Sequence, residues 1–235
     1  RERCVVGGDT GIPWAVPSAT GMHTRARFGL AGALVAASAA AGIVTAPDLP
    51  AEMASHWNAA GEPDDTLPKL VVLGLLPGLS ALLLGLLAVL PQIDPLGENV
   101  ESFRATYDWF AVALAGTLSA VHVGVVAYNL GYRFPFVSLV FVAVAGLLYY
   151  AGVALGRAER NWFLGIRTPW TLSSEVVWER THAVGAPLFK FAALGALLGA
   201  AFPEYAVFLL LGPVIVAGVG TTVYSYWLYR RLERE

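Results

Sequence analysis

Residues 70–90 read LVVLGLLPGLSALLLGLLAVL, a run without a single charged side chain. A hydrocarbon core of roughly 30 Å is crossed by about 20 apolar residues in helical form, so this run is long enough to traverse a bilayer. Backbone N–H and C=O groups find no partner in lipid, which makes helix the only economical form for such a segment. Apolar runs recur at 28–46, 107–130, 134–156, 187–203 and 205–228, giving six expected spans. Strand-like alternation is absent. The fold class expected is all-α, a polytopic membrane helical bundle.

Composition agrees. The chain is 57% hydrophobic and 14% charged, with a mean hydropathy of +0.62. Soluble domains carry about 25% charged residues, so a water-exposed globule is excluded in favour of a protein embedded in a lipid bilayer. A net charge of −2 gives no case for direct nucleic-acid binding. Cys4, the single cysteine, excludes an internal disulfide and a Cys-rich metal site.

Residues 1–21 are aperiodic and punctuated by Gly and Pro, and Met22 opens a basic flank. They read as a disordered leader or a non-native start, with Met22 as the expected true start. The remainder divides into a two-span region, 22–98, and a four-span region, 99–235. With the N-terminus in the cytoplasm, all Lys and Arg except Lys69 and Arg133 fall on the inner side. The positive-inside rule therefore predicts both termini in the cytoplasm. Pro77 and Pro213 interrupt spans two and six and are expected to kink them. The pairs Gly74/Gly78 and Gly195/Gly199 offer small faces for close helix packing.

Residues 47–69, PDLPAEMASHWNAAGEPDDTLPK, form the exported loop between spans one and two. Asp48, Glu52, Glu62, Asp64 and Asp65 make it acidic. His56 beside these carboxylates has the chemistry of a cation ligand, but one His lacks the paired spacing of a zinc site. The plainer expectation is a short amphipathic helix over Leu49–Trp57, stopped at Gly61, with Trp57 anchored at the interface. No metal and no cofactor are expected.

Residues 161–185, NWFLGIRTPWTLSSEVVWERTHAVG, join spans four and five on the cytoplasmic side. Thr168 precedes Pro169 and is predicted to be extended. Ser173 is a candidate N-cap, with Glu175 in the first turn. Beyond it, Trp178 and His182 share a helix face at four-residue spacing. The expectation is a short helix at the membrane surface, its Trp side chains at headgroup level. Its role is either partner binding, since aromatics and Arg anchor interfaces, or closure of the bundle.

Two motifs carry a family resemblance. His56-Trp57-Asn58, Gly61, Asp64 and Lys69 resemble an uncharacterised membrane domain found at the start of SdpI-type proteins. Asn161, Phe163, Gly165, Ile166, Arg167, Thr168, Pro169, Trp170, Thr171, Leu172, Val177, Trp178, Thr181, His182 and Gly185 resemble the core motif of the SdpI family. The 91–105 connection carries no recognisable element. The resemblance implies a six-span, multi-pass protein of a prokaryotic plasma membrane. It further implies immunity to a secreted toxin peptide met outside, and retention of a transcriptional repressor at the membrane. Asn161, Phe163, Gly165, Arg167, Thr168, Pro169, Trp170, Trp178 and His182 are then the partner-binding motif, with the HWN-type residues as its outer counterpart.

His122 lies inside span three with Ser119 one turn before it. An ionisable group at that depth is a functional candidate, or else a neutral imidazole bonded to a neighbouring helix. It is what a rival reading rests on, a small transporter with a midplane site. Asp108 and Trp109 sit at the mouth of the same span, a position that suits a carboxylate at a helix N-terminus. An enzyme is not expected: His182 with Glu179, or His56 with Asp64, is a lone His beside a carboxylate, and no HExxH, GxSxG or paired-Asp element occurs.

Overall fold

The computed structural model describes residues 22–58 and 60–234; the expected leader, 1–21, lies outside them. Six helices are long and apolar enough to cross a membrane. Helix α1 (Thr24–Thr45) leads to a two-stranded antiparallel hairpin, β1 (Glu52–Trp57) and β2 (Pro63–Pro68). Helix α2 (Lys69–Ile93) returns to the other end, where the short α3 (Gly97–Ser102) feeds α4 (Arg104–Asn129). Helix α5 (Phe136–Leu155) comes back. It is followed by the single turn α6 (Pro169–Ser173) and by α7 (Glu175–Ala201). The last span is broken into α8 (Ala206–Ile215), a π-helical turn over Val216–Gly220 and α9 (Thr221–Leu232).

The six-helix bundle is as expected. The loop between the first two spans is not: where a helix was predicted over Leu49–Trp57, the chain forms β1. Its outer edge is satisfied by Asn129 at the end of α4, whose amide oxygen accepts from Ala54 N at 2.8 Å while its Nδ2 donates to Ala54 O at 3.0 Å. Leu49 and Met53 are buried with Val72, Val125, Val126 and Phe136. The turn retains its glycine, Gly61, at φ +81°. Trp57 is half-buried against Phe136 and Tyr128, with ring centroids 4.0 and 5.2 Å away.

Proline placement organises the packing. A proline inside a helix leaves the carbonyl four residues earlier without its N–H donor. Pro91 frees Leu87 O, and Tyr107 on α4 donates its hydroxyl to that oxygen at 2.7 Å. Pro77 frees Leu73 O, and the His122 ring lies against the backbone of Leu73 and Ser38. Pro213 frees Leu209 O in α8. A Cβ at Gly195 would collide with that oxygen, so only glycine lets α7 approach so closely. Gly195 and Gly199 thus serve the helix contact predicted for them. Gly74 and Gly78 do not, as a Cβ on either would meet open space.

At the inner end, α1 and α4 are tied by charge. Asp108, fully buried, accepts from Arg27 at 3.2 Å and from Arg104 at 2.7 Å. Because α4 begins at Arg104, Asp108 sits one turn inside the helix and its role is ion pairing, not the helix-mouth placement that the sequence suggested.

Candidate functional site

The connection between α5 and α7 folds around Asn161, whose side chain is completely buried. Its Oδ1 accepts from the backbone N–H of Phe163 and Leu164 at 3.0 and 2.6 Å, and its Nδ2 donates to the carbonyls of Glu159 and Leu164. One asparagine thereby replaces the backbone partners that a loop lacks. Gly165 follows at φ +121°, a conformation that other residues rarely adopt. Its missing side chain matters as well, because a Cβ there would run into His182 Nε2 and the Trp178 ring.

His182 and Trp178 form the floor beneath that glycine, their rings stacked at 4.0 Å. Ile166 N–H donates to His182 Nε2 at 3.0 Å, so that nitrogen carries no proton. Nδ1 donates to Trp178 O at 2.8 Å. The imidazole is therefore the neutral Nδ1–H tautomer with both nitrogens occupied. Trp178 Nε1 donates to Ala158 O at 2.8 Å and the side chain is 1% exposed. These two residues are core, not headgroup anchors, because α7 already begins at Glu175 and carries them into the bundle.

The Thr168-Pro169-Trp170-Thr171 turn is locked by a capping box. Thr168, extended as predicted at φ −120°, accepts from Thr171 N, while Thr168 N donates to Thr171 Oγ1 at 2.8 Å. Thr171 Oγ1 in turn donates to Ile166 O at 2.9 Å. Trp170 reaches the last span, where its indole N–H donates to Ser225 Oγ and its ring meets Tyr226 at 5.1 Å. Ser174, one residue after the predicted Ser173, caps α7 by accepting from Val177 N. Arg160 bridges the loop through Glu175 at 2.9 Å and Leu172 O at 2.8 Å. Exposed side chains on this platform include Trp162, Arg167, Pro169, Ser173, Glu175, Val176, Glu179 and Arg180. Arg167 donates to the backbone carbonyl of Trp162 at 2.8 Å. Phe163 is half-buried.

Sequence reasoning passed over the residues that fasten this platform to the first half of the chain. Asp94 accepts from Trp162 N at 2.9 Å and from Leu96 N at 2.7 Å, and Asn99 donates to Arg160 O at 2.7 Å. The Asp94-Pro95 step, which favours an Asx turn, was the available signal.

At the opposite end, Asn58 Oδ1 accepts from Ala60 N and Glu62 N and closes the hairpin turn. His56 Nδ1 lies 2.6 Å from Asp64 Oδ1 across the strands. Lys69 Nζ donates to Ala46 O and Leu49 O, stapling the hairpin to the end of α1. His56, Asn58, Gly61, Asp64 and Lys69 thus all belong to the hairpin and its anchorage. Among the described residues no group of three His, Cys, Asp or Glu side chains is placed to hold a metal ion.

Residues 157–225 match the SdpI/YfhL protein family. Residues 33–81, covering the hairpin, match a domain of unknown function (DUF1648). The chain is 30% identical over 109 residues to the Immunity protein SdpI of Bacillus subtilis (strain 168), a stretch covering 44% of this chain and 51% of that protein. It thus spans about half the length of the curated relative it matches. No solved structure matches the chain. The SdpI/YfhL segment runs from the end of α5 through the platform into α9, so the Trp170–Ser225 contact joins its two ends.

His122 lies elsewhere, 1% exposed at mid-bundle between α1, α2 and α4. Neither of its ring nitrogens, nor Ser119 Oγ, meets hydrogen-bond geometry with a protein group.

Proposed function

We propose that this multi-pass membrane protein is an immunity protein. It protects its cell from a secreted toxin peptide and holds a transcriptional repressor against its cytoplasmic platform. The observation that carries the reading is the likeness to the Immunity protein SdpI of Bacillus subtilis. The geometry supports it in a specific way. The motif residues fall into two sets: Asn161, Gly165, Thr168, Thr171, Trp178 and His182 build the platform, whereas Arg167 and Pro169 are exposed on it, beside Trp162, which lies outside the motif and is exposed too. A rigid base presenting an indole and a guanidinium is suited to protein recognition. Within the platform His182 serves as structure rather than as a base, since both of its nitrogens are engaged by backbone.

The test is expression in a toxin-sensitive host. Protection should appear with the wild-type chain. Membrane recruitment of the repressor should fall in Arg167→Ala and Trp162→Ala, with protein levels unchanged. Recruitment undiminished in the double variant refutes the platform. Deleting 161–182 is no test, because it removes the start of α7. The transporter reading draws on His122 and Ser119, whose polar atoms lack protein partners in the bundle. Substrate-dependent flux in proteoliposomes, lost in His122→Ala, would favour it over immunity.

A further inference from the structure

The geometry points to a binding site for a cationic, apolar peptide at the outer end, in the cavity beneath the hairpin. This deepens the immunity reading and rests on it, since it names where the exported ligand is met and what chemistry it has. The cavity measures about 410 Å³ and opens between the hairpin and helices α2, α4 and α5. That is the size of a small-molecule or side-chain pocket. Its walls are apolar, among them Val72, Leu75, Val125, Phe136 and Val140. Trp57 lines it too, and the buried Trp57 indole N–H has no acceptor in the protein.

Charge selects the occupant. The end of the bundle that carries the hairpin holds Asp48, Glu52, Glu62, Asp64, Asp65 and, after α7, Glu204, all exposed. Its cations are Lys69, turned onto the carbonyls of Ala46 and Leu49, and Arg133, folded over the Tyr128 ring and bonded to Tyr128 O. Among these acids only Asp64 has an ion-pair partner, His56. An apolar cavity under an acidic rim repels anionic phospholipid headgroups and attracts Lys or Arg flanking an apolar side chain. The exported toxin of the immunity reading is a peptide, and its cationic flanks, which an anionic or zwitterionic phospholipid lacks, make a peptide the occupant.

The experiment uses the full chain in phosphatidylcholine nanodiscs and a fluorescent peptide of alternating Leu and Lys, with an alternating Leu and Glu peptide as control. The Lys peptide should bind above empty nanodiscs, and the Glu peptide should not. Binding should weaken about tenfold or more in Glu52→Lys/Glu62→Lys, whose exposed side chains make no hydrogen bond or ion pair within the hairpin. It should also weaken in Val140→Trp, which fills the cavity. If Val140→Trp does not fold, the rim variant carries the test alone. Binding equal to empty nanodiscs, or unchanged in the rim variant, overturns the site. So does a phospholipid that co-purifies with wild type and is lost from Val140→Trp while the Lys peptide fails to bind. Protection of cells is scored separately. Protection without peptide binding overturns this site and leaves immunity standing, whereas binding without protection supports the site and overturns the immunity reading.

Discussion

Tyr107 donates its hydroxyl to the carbonyl oxygen of Leu87, the acceptor that Pro91 strips of its own helical partner. The pairing explains how α2 carries prolines without exposing bare carbonyls to an apolar medium, where an unsatisfied polar group is costly. The proline and the tyrosine are one device on two helices.

Tyr107→Phe should therefore lower stability by about 1–3 kcal/mol, the usual cost of stranding a buried acceptor. In a Pro91→Ala background the same substitution should cost markedly less, because the backbone N–H restored by that change then reaches Leu87 O. Thermal unfolding in detergent of the four proteins completes the cycle. Equal costs in both backgrounds would break the link.

Gly165→Ala should be far more damaging than a typical helix glycine change. The residue would be held at φ +121° with its methyl against His182 and Trp178. Backbone strain and overpacking together cost about 3 kcal/mol or more. Gly146→Ala, where a Cβ meets nothing within 4 Å, should be neutral or stabilising. Folded yield and midpoint temperature of the two variants separate the cases, and similar behaviour would sink the account of the Gly165 turn.

Asp108→Asn should cost about 3–5 kcal/mol, because it leaves Arg27 and Arg104 facing a buried neutral group. Glu101→Gln removes an Arg104 partner that is largely exposed, and should cost less than about 1 kcal/mol. Denaturation of the purified variants measures both. Parity between them would show that Asp108 is not the hinge pin of α1 and α4.

How far these features could be read from sequence depends on the range of the forces involved. The spans are set by local apolarity, so the charge-free run at 70–90 and its counterparts were legible directly. Thr168 was legible too, because Pro169 restricts it sterically. The hairpin was not. Glu52, Met53 and Ala54 are good helix formers, and what holds them as a strand is Asn129, far away in the chain. Trp178 and His182 were placed on one helix face but at the wrong depth. Their burial comes from Ala158 and Ile166, which the loop returns to them only once folded. Arg167 and Pro169 emerge as exposed members of the motif, with Trp162 exposed beside them, only after the others are seen to be spent on the fold.

Orientation in the membrane is the premise on which both surfaces depend, and the positive-inside rule gives it physical content. The end bearing the platform holds Arg157, Arg160, Arg167 and Arg180, whereas among the described residues the hairpin end holds Lys69 and Arg133 as its Lys and Arg. In a Cys4→Ser background, Asp65→Cys should react with a membrane-impermeant maleimide in intact cells. Trp162→Cys, at a position 48% exposed in the fold, should react only after permeabilisation. The contrast is robust because both positions are accessible to water on their own side. Labelling of position 162 from outside, with position 65 protected, would invert the bundle. A cytosolic repressor could then never reach Arg167, and an exported peptide could never reach the cavity under the hairpin.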